Sequence, residues 1–308
     1  MVVLSTVSQA VLMTLLDRGR PVVTGYELFQ LVWDVYTFPE KYPIKIRKRI
    51  SAPGYDQFSR VISELSGERH IRADPDFDGS QSVSTKTQVF RVTEVPDLPA
   101  EDIACLVDPF CYVAFISALQ RYGLTVRQPK SLSMASPASS SWGKLKDEKL
   151  LSDYGFIPSS RNLHYYRRLE HIEFPNRIRD RKTETHRIKH NYITQKAEDS
   201  YFRIITLGDL FVQTLVYPEL CGGILHVLDI WEEHFDTYAD QIVEAVDRFH
   251  MPIVKVRAGY IITERLYVKN DTVENWRQFA QRGGSRKLDP NAEYGSTWSE
   301  NWMIATNV

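Results

Sequence analysis

Cysteine is scarce. Cys105, Cys111 and Cys221 are the whole complement in 308 residues. Three is too few for a disulfide framework, the number is odd, and no two are spaced as C-x-x-C. Buried free thiols in a reducing compartment are the expectation. Glycine stops at 15 with no Gly-X-Y period, which excludes a collagen-like chain. Neither sign of charge is in excess: 38 Lys+Arg against 39 Asp+Glu give a formal net charge of −1. Affinity for nucleic acid must then come from a local patch. No run approaches about 18 apolar residues, and Gln9 and Asp17 break the apolar start. Neither a membrane span nor a signal peptide is expected, and the chain reads as cytoplasmic. P-loop, G-x-S-x-G and G-x-G-x-x-G patterns are missing, so the reading is non-enzymatic, with no cofactor. What is present is ordinary globular composition, 43% hydrophobic and 25% charged, enough for about two domains.

Apolar residues Val7, Val11, Leu12, Leu15 and Leu16 follow helical spacing, and Gly19 stands just past them as a stop. Thr24 and Glu27 make a capping-box pattern for a second helix over about Gly25 to Tyr36, ended by Pro39 and Pro43. A third helix is predicted from Tyr55 to Leu65, with Phe58, Val61, Ile62 and Leu65 facing a core. Two short strands follow, near His70 to Ala73 and Val89 to Thr93, with the turn signal Asp78-Gly79 between them. Helix, helix, basic link, helix, hairpin is the order of a winged helix-turn-helix, here over residues 1–95. The two prolines of Val95-Pro96-Asp97-Leu98-Pro99 mark a linker over 96–104.

The remainder, 105–308, reads as a larger mixed α/β domain, so the class is α+β. Helices are predicted at Cys111 to Tyr122, at Leu207 to Val216 (capped by Thr206 with Asp209), at Gly223 to Glu233 and at Tyr238 to Phe249. Two more are predicted at Pro252 to Glu264 and Asn275 to Arg282. Strands are expected at Tyr201 to Ile205 and Trp302 to Thr306, and Ser131 to Ser141 reads as strand and loop. Residues 161–190 are rich in Arg and Lys and hold His164, His171, His186 and His190.

The third helix is the chemical centre of this reading. A helix with a polar outer face fits a major groove about 12 Å wide. Gln57 would read adenine, Arg60 would read guanine, and Tyr55 or Ser63 would touch phosphate. Lys41, Lys45, Arg47, Lys48 and Arg49 would anchor the backbone; five neutralised phosphates imply a salt slope of about −4.5. Arg72, Lys86 and Arg91 on and beside the hairpin are further contact candidates. Asp74, Asp76 and Asp78 open like a calcium loop, but Thr85 stands where a bidentate Glu is needed, so the expectation is an acidic wing tip that phosphate repels.

His186 and His190, four apart, fit one helix face, but Arg187 stands where a zinc protease needs Glu, and no metal is expected. The cations around them form a second basic surface. Gly283-Gly284-Ser285-Arg286-Lys287 offers an anion-binding turn, but Asp289 lacks the second aspartate that a nucleotidyltransferase needs.

Three segments stand out in the last third: Thr214-Leu215-Val216-Tyr217-Pro218-Glu219-Leu220-Cys221-Gly222-Gly223, Val256-Arg257-Ala258-Gly259-Tyr260, and Gly283-Gly284-Ser285-Arg286-Lys287-Leu288-Asp289-Pro290. With the ending Trp302 to Val308 they resemble the AbiEi family, the antitoxins and regulators of type IV (abortive-infection) toxin–antitoxin systems. Ser117 to Leu124 looks like a further family stretch, with Tyr122 where His is usual. The resemblance covers about residues 105–308. It implies an N-terminal winged helix that binds inverted repeats in its own promoter as a repressor. It also implies a C-terminal domain that antagonises a nucleotidyltransferase-like toxin without needing a stable complex, in phage defence. Arg257, Tyr260, Arg286 and Lys287 are the candidates for that antitoxicity. Two rivals are a stand-alone winged-helix regulator whose second domain senses a ligand or dimerises, and a nucleic-acid enzyme using the His/Arg-rich region.

Overall fold

The N-terminal helices form where the spacing places them. The computed structural model describes every residue except 1–3, 48–52, 80–82, 159–165 and 282–285. Helix α1 (Thr6–Arg18) starts on the Ser5 hydroxyl, which accepts from Ser8 N, and stops at Gly19 with φ 60°. Strand β1 (Val22–Thr24) leads into α2 (Gly25–Thr37) through the capping box: Glu27 N donates to Thr24 Oγ1, and Thr24 N to Glu27 Oε2. Helix α3 (Tyr55–Gly67) buries Phe58, Val61, Ile62 and Leu65, each worth about 1.5–3 kcal/mol against exposure. Strands β2 (Ile71–Ala73) and β3 (Val89–Val92) follow. The three strands pair antiparallel in the order β1-β3-β2, with Val23 opposite Phe90 and Arg72 opposite Arg91. β1 had no signal of its own, because three buried residues are too short a run to show a period.

Next come α4 (Ala100–Val107), β4 (Tyr112–Val113), α5 (Phe115–Arg121), β5 (Leu132–Pro137) and α6 (Ser139–Tyr154). The helix predicted from Cys111 is thus a two-residue strand and a shorter helix. α6 begins in a serine run with little helical preference; packing of Trp142, Leu150 and Tyr154 supplies what propensity does not. Strands β6 (Arg177–Ile178), β7 (Arg181–Ile188), β8 (Thr194–Lys196) and β9 (Arg203–Ile205) precede α7 (Leu207–Val216). Then run α8 (Ile224–Arg248), α9 (Pro252–Tyr260), a π-helical turn Ile261–Arg265, α10 (Asp271–Asn275) with the 3₁₀ turn Trp276–Phe279, β10 (Trp298–Ser299) and β11 (Ile304–Ala305).

The helices predicted at 223–233 and 238–249 are both present, joined in α8 across a kink at Tyr238 (φ −121°, ψ 19°), where the second was expected to begin. Two expectations are corrected here. Thr206 stands at the N-cap of α7, but its hydroxyl donates to Asp209 Oδ2, which also accepts from Ile193 N and Arg248 Nη2, so the carboxylate ties several segments together. The His186 segment is strand β7, not helix, and the strand ends at Ile188, so His190 lies beyond it and the two do not share a helix face.

Besides the three-stranded sheet, six strands form a mixed sheet in the order β6-β7-β5-β4-β9-β8, and β10 pairs with β11. The architecture is α+β: N-terminal helices with a small antiparallel sheet, then the mixed sheet and helices. The chain divides into two units. The first comprises residues 1–111, 135–190 and 197–202, and the second comprises 112–134, 191–196 and 203–308. The first has one core between α1, α2, α3 and the small sheet, and a second cluster of Tyr26, Trp142, Leu150, Tyr154 and Leu169. Tyr26 on α2 donates to Asp153 on α6 at 2.6 Å. In the second unit, α7 and α8 meet at Gly208, where a Cβ would lie 2.4 Å from the Gln241 carbonyl oxygen. No described helix is long and apolar enough to cross a membrane.

Candidate nucleic-acid interface

Burying Phe58, Val61, Ile62 and Leu65 forces the opposite side of α3 outward. Tyr55, Ser59, Arg60 and Ser63 are exposed on it, in the company of Asp56. Gln57 is half-buried, and its Oε1 accepts from Gly54 N at 2.7 Å. That bond satisfies an orphan N–H of the helix start and takes the oxygen a bidentate adenine contact would use. The Tyr55 hydroxyl donates to Thr85 O at 3.4 Å, so the arm leading into β3 stands at the start of α3.

The basic link alternates. From Lys41 to Arg47 exposed and half-buried residues take turns, with Tyr42, Ile44 and Ile46 against the core and Lys41, Lys45 and Arg47 outward. Lys41 lies 3.2 Å from Asp34 and 3.9 Å from the Phe38 ring centroid. The Arg47 N–H is held by Thr6 Oγ1. Lys48 and Arg49 lie outside the described residues. Arg72 is exposed on β2, at the sheet edge, and Lys86 is exposed on the β2–β3 connection. Arg91 is buried, donating to Pro21 O, Val95 O and Asp97, and serves the fold.

The acidic loop differs from its sequence reading. Asp74 is fully buried, and Arg179 takes it in a two-pronged bond, Nη1 to Oδ1 at 3.1 Å and Nη2 to Oδ2 at 2.6 Å. The same guanidinium reaches Asp76, and its Nε reaches Asp97 at 3.0 Å. Asp78 Oδ2 accepts from Gln88 N and Val89 N. The loop's carboxylates are therefore turned inward, and their cation is the protein's own. No described group of three or more His, Cys, Asp or Glu is arranged to hold a metal.

Two arginines of residues 161–190 belong to this site: Arg179, which the sequence reading counted only among the cations of the second basic surface, and Arg167, which it did not name. Arg167 donates to Thr85 O (2.8 Å) and Thr87 O (3.3 Å), and lies 5.6 Å from the Phe58 ring centroid. Arg179 is the clamp just described. Their only sequence signal was membership of an Arg-rich run, which does not tell a solvated cation from a buried one.

A cleft of about 490 Å³ in the same unit is walled by residues 171–176 and 183–187, with Asp108. Asp108 accepts from Ser136 Oγ (2.8 Å) and Trp142 Nε1 (3.2 Å). His171 in the wall is held below its ordinary pKa by burial and then by Arg187, with Asp108 and Glu173 opposing.

The four residues offered for antitoxicity lie in the second unit. Arg257 is buried and donates to Leu215 O (2.7 Å) and Lys287 O (2.9 Å); burial pushes its guanidinium down to about 10. Tyr260 is half-buried, and burial raises its phenol. Arg286 donates to Phe279 O and Lys287 to Ala292 O, both at 2.6 Å. The distinctive motifs meet one another: the Trp302 indole lies on Gly259, and its Nε1 donates to Thr263.

No family model matches the chain, and no curated protein matches it. Among solved structures, the Rv2827c protein of Mycobacterium tuberculosis is similar over 98% of this chain and 92% of its own, at 13% identity and a TM-score of 0.43. At that level the likeness carries no functional assignment.

Proposed function

We propose that the chain is a DNA-binding autorepressor and antitoxin of the AbiEi kind, acting by binding rather than by catalysis. The observation that carries the DNA-binding part is α3: a helix of about 20 Å whose inner face is apolar and whose outer face presents Tyr55, Arg60 and Ser63. The order α1-β1-α2-α3-β2-β3 with sheet order β1-β3-β2 supports a winged helix-turn-helix. The outward cations of the 41–47 stretch supply backbone anchors. The antitoxin part rests on the motif resemblance over residues 105–308, and the nucleotidyltransferase-like toxin is its proposed partner. The direct test is co-expression with the adjacent gene, scored as growth: rescue of a toxic neighbour is expected, and an innocuous neighbour counts against it. For DNA, Arg60→Ala is expected to cost about 1–3 kcal/mol at one operator position if it reads guanine. Unchanged affinity with unchanged preference removes α3 from the interface.

The second reading, a stand-alone regulator that senses a ligand, is favoured by the cleft beside Asp108 and His171, whose volume suits a small molecule. A neighbouring gene without toxicity, together with a metabolite that releases DNA, would favour it.

A further inference from the structure

We infer that Arg179 is a positioning residue for the nucleic-acid interface: from the β6–β7 turn it folds in and binds Asp74 and Asp76 of the β2–β3 connection, so that the arm carrying Lys86 is what this hairpin offers to a phosphate backbone. The inference rests on the DNA-binding reading above.

Asp74, Asp76 and Asp78 beside a phosphate backbone would repel it. Yet Arg179 engages both ends of Asp74, together with Asp76 and Asp97, and its own backbone N–H donates to Asp76 Oδ2 at 3.0 Å. The side chain is 16% exposed and that of Asp74 is 0% exposed, so water screens this pair little. Reaching the loop requires an unusual backbone: Arg179 (φ 49°) and Asp180 (φ 62°) are both left-handed, a two-residue turn that favours Asn-Gly. An arginine held there by its bonds indicates that the clamp, not the turn, selects the residue. Phe174 packs edge-on against Phe77 at 6.1 Å and fastens the same loop a second time.

The opposite arm hangs elsewhere. Thr85 O accepts from Tyr55 and Arg167, and Thr87 O from Arg167, which places residues 85–87 against the start of α3. Lys86 between them is exposed. One arm of the connection is thus drawn inward by Arg179, and the other is presented beside the recognition helix.

The test uses the full chain and a duplex of its own upstream sequence, with affinity read by fluorescence anisotropy at low and high salt. Arg179→Gln is expected to bind about tenfold more weakly at low salt, with the gap narrowing as salt screens the uncovered carboxylates. Adding Asp74→Asn and Asp76→Asn to that variant is expected to restore affinity to within about threefold. Arg179→Lys keeps the charge but loses the two-pronged bond, and is the variant to use if the glutamine form does not fold; it is expected to bind more weakly than the parent and more tightly than the glutamine variant. Parental binding by Arg179→Gln, a salt-independent gap, no rescue by the asparagines, or a lysine variant as weak as the glutamine one would each overturn the inference. If the parent itself shows no preference for its upstream duplex, the DNA-binding reading fails separately. The clamp is then judged by amide exchange at Asp76, whose N–H donates to the clamped Asp74 Oδ1: faster exchange in Arg179→Gln supports it, and unchanged exchange overturns it.

Discussion

At Gly259 a Cβ would lie 2.1 Å from the Trp302 ring, closer than any real contact, and the indole is fully buried with no room to retreat. Gly259→Ala is therefore expected to destabilise the chain by about 1–3 kcal/mol in denaturant melts, the usual cost of overpacking. His171 sets a pH dependence. Its ring is packed against Trp142 (5.4 Å between centroids), and Arg187 Nη2 lies 3.1 Å from a ring nitrogen. Its folded pKa is lowered, so the unfolded chain binds the proton more readily. The stability it contributes is present above its unfolded pKa of about 6.5 and is lost as pH falls toward the lower folded value. A ring titration followed by NMR should find it below the ordinary histidine range, and His171→Gln should flatten the acid side of the stability profile. A midpoint above the ordinary value would contradict this.

At the scale of elements, α2 shows how much a local signal can carry. Thr24 and Glu27 exchange bonds as their spacing dictates, and Thr24→Ala is expected to cost about 1 kcal/mol in thermal or urea unfolding. α1 and α3 were legible for the same reason: apolar residues at 3.6-residue spacing with a stop or cap at the end. The break within α8 was legible too: the sequence separates helices at 223–233 and 238–249, and Tyr238 is the residue that leaves the helical region. Arg257 marks the limit. In sequence it was a conspicuous motif cation; in the fold it joins the carbonyls of Leu215 and Lys287. Arg257→Ala would strand two acceptors and is expected to cost at least about 2 kcal/mol of folding stability. If toxin rescue falls with no change in unfolding free energy, Arg257 acts on the toxin and not through the fold.

For the whole molecule, the first unit takes in residues well beyond the N-terminal helices. Tyr26 packs with Trp142, Leu150, Tyr154 and Leu169, and Trp33 lies against the same cluster. A fragment ending at residue 95 would expose that side of α2, so it is expected to melt earlier than the intact chain and to bind a hydrophobic dye. A fragment as stable as the parent would show that these contacts add little. The sequence by itself determined the N-terminal helices, their inward residues and, of the outward set Tyr55, Gln57, Arg60 and Ser63, all but Gln57, which is half-buried at the helix start, because burial of an apolar stripe leaves the opposite face no choice. Only the tertiary structure decided the fate of the charges. A run of arginines looks alike in a sequence whether it meets water or carboxylates, and the pairing of Arg179 with Asp74 joins residues 105 positions apart.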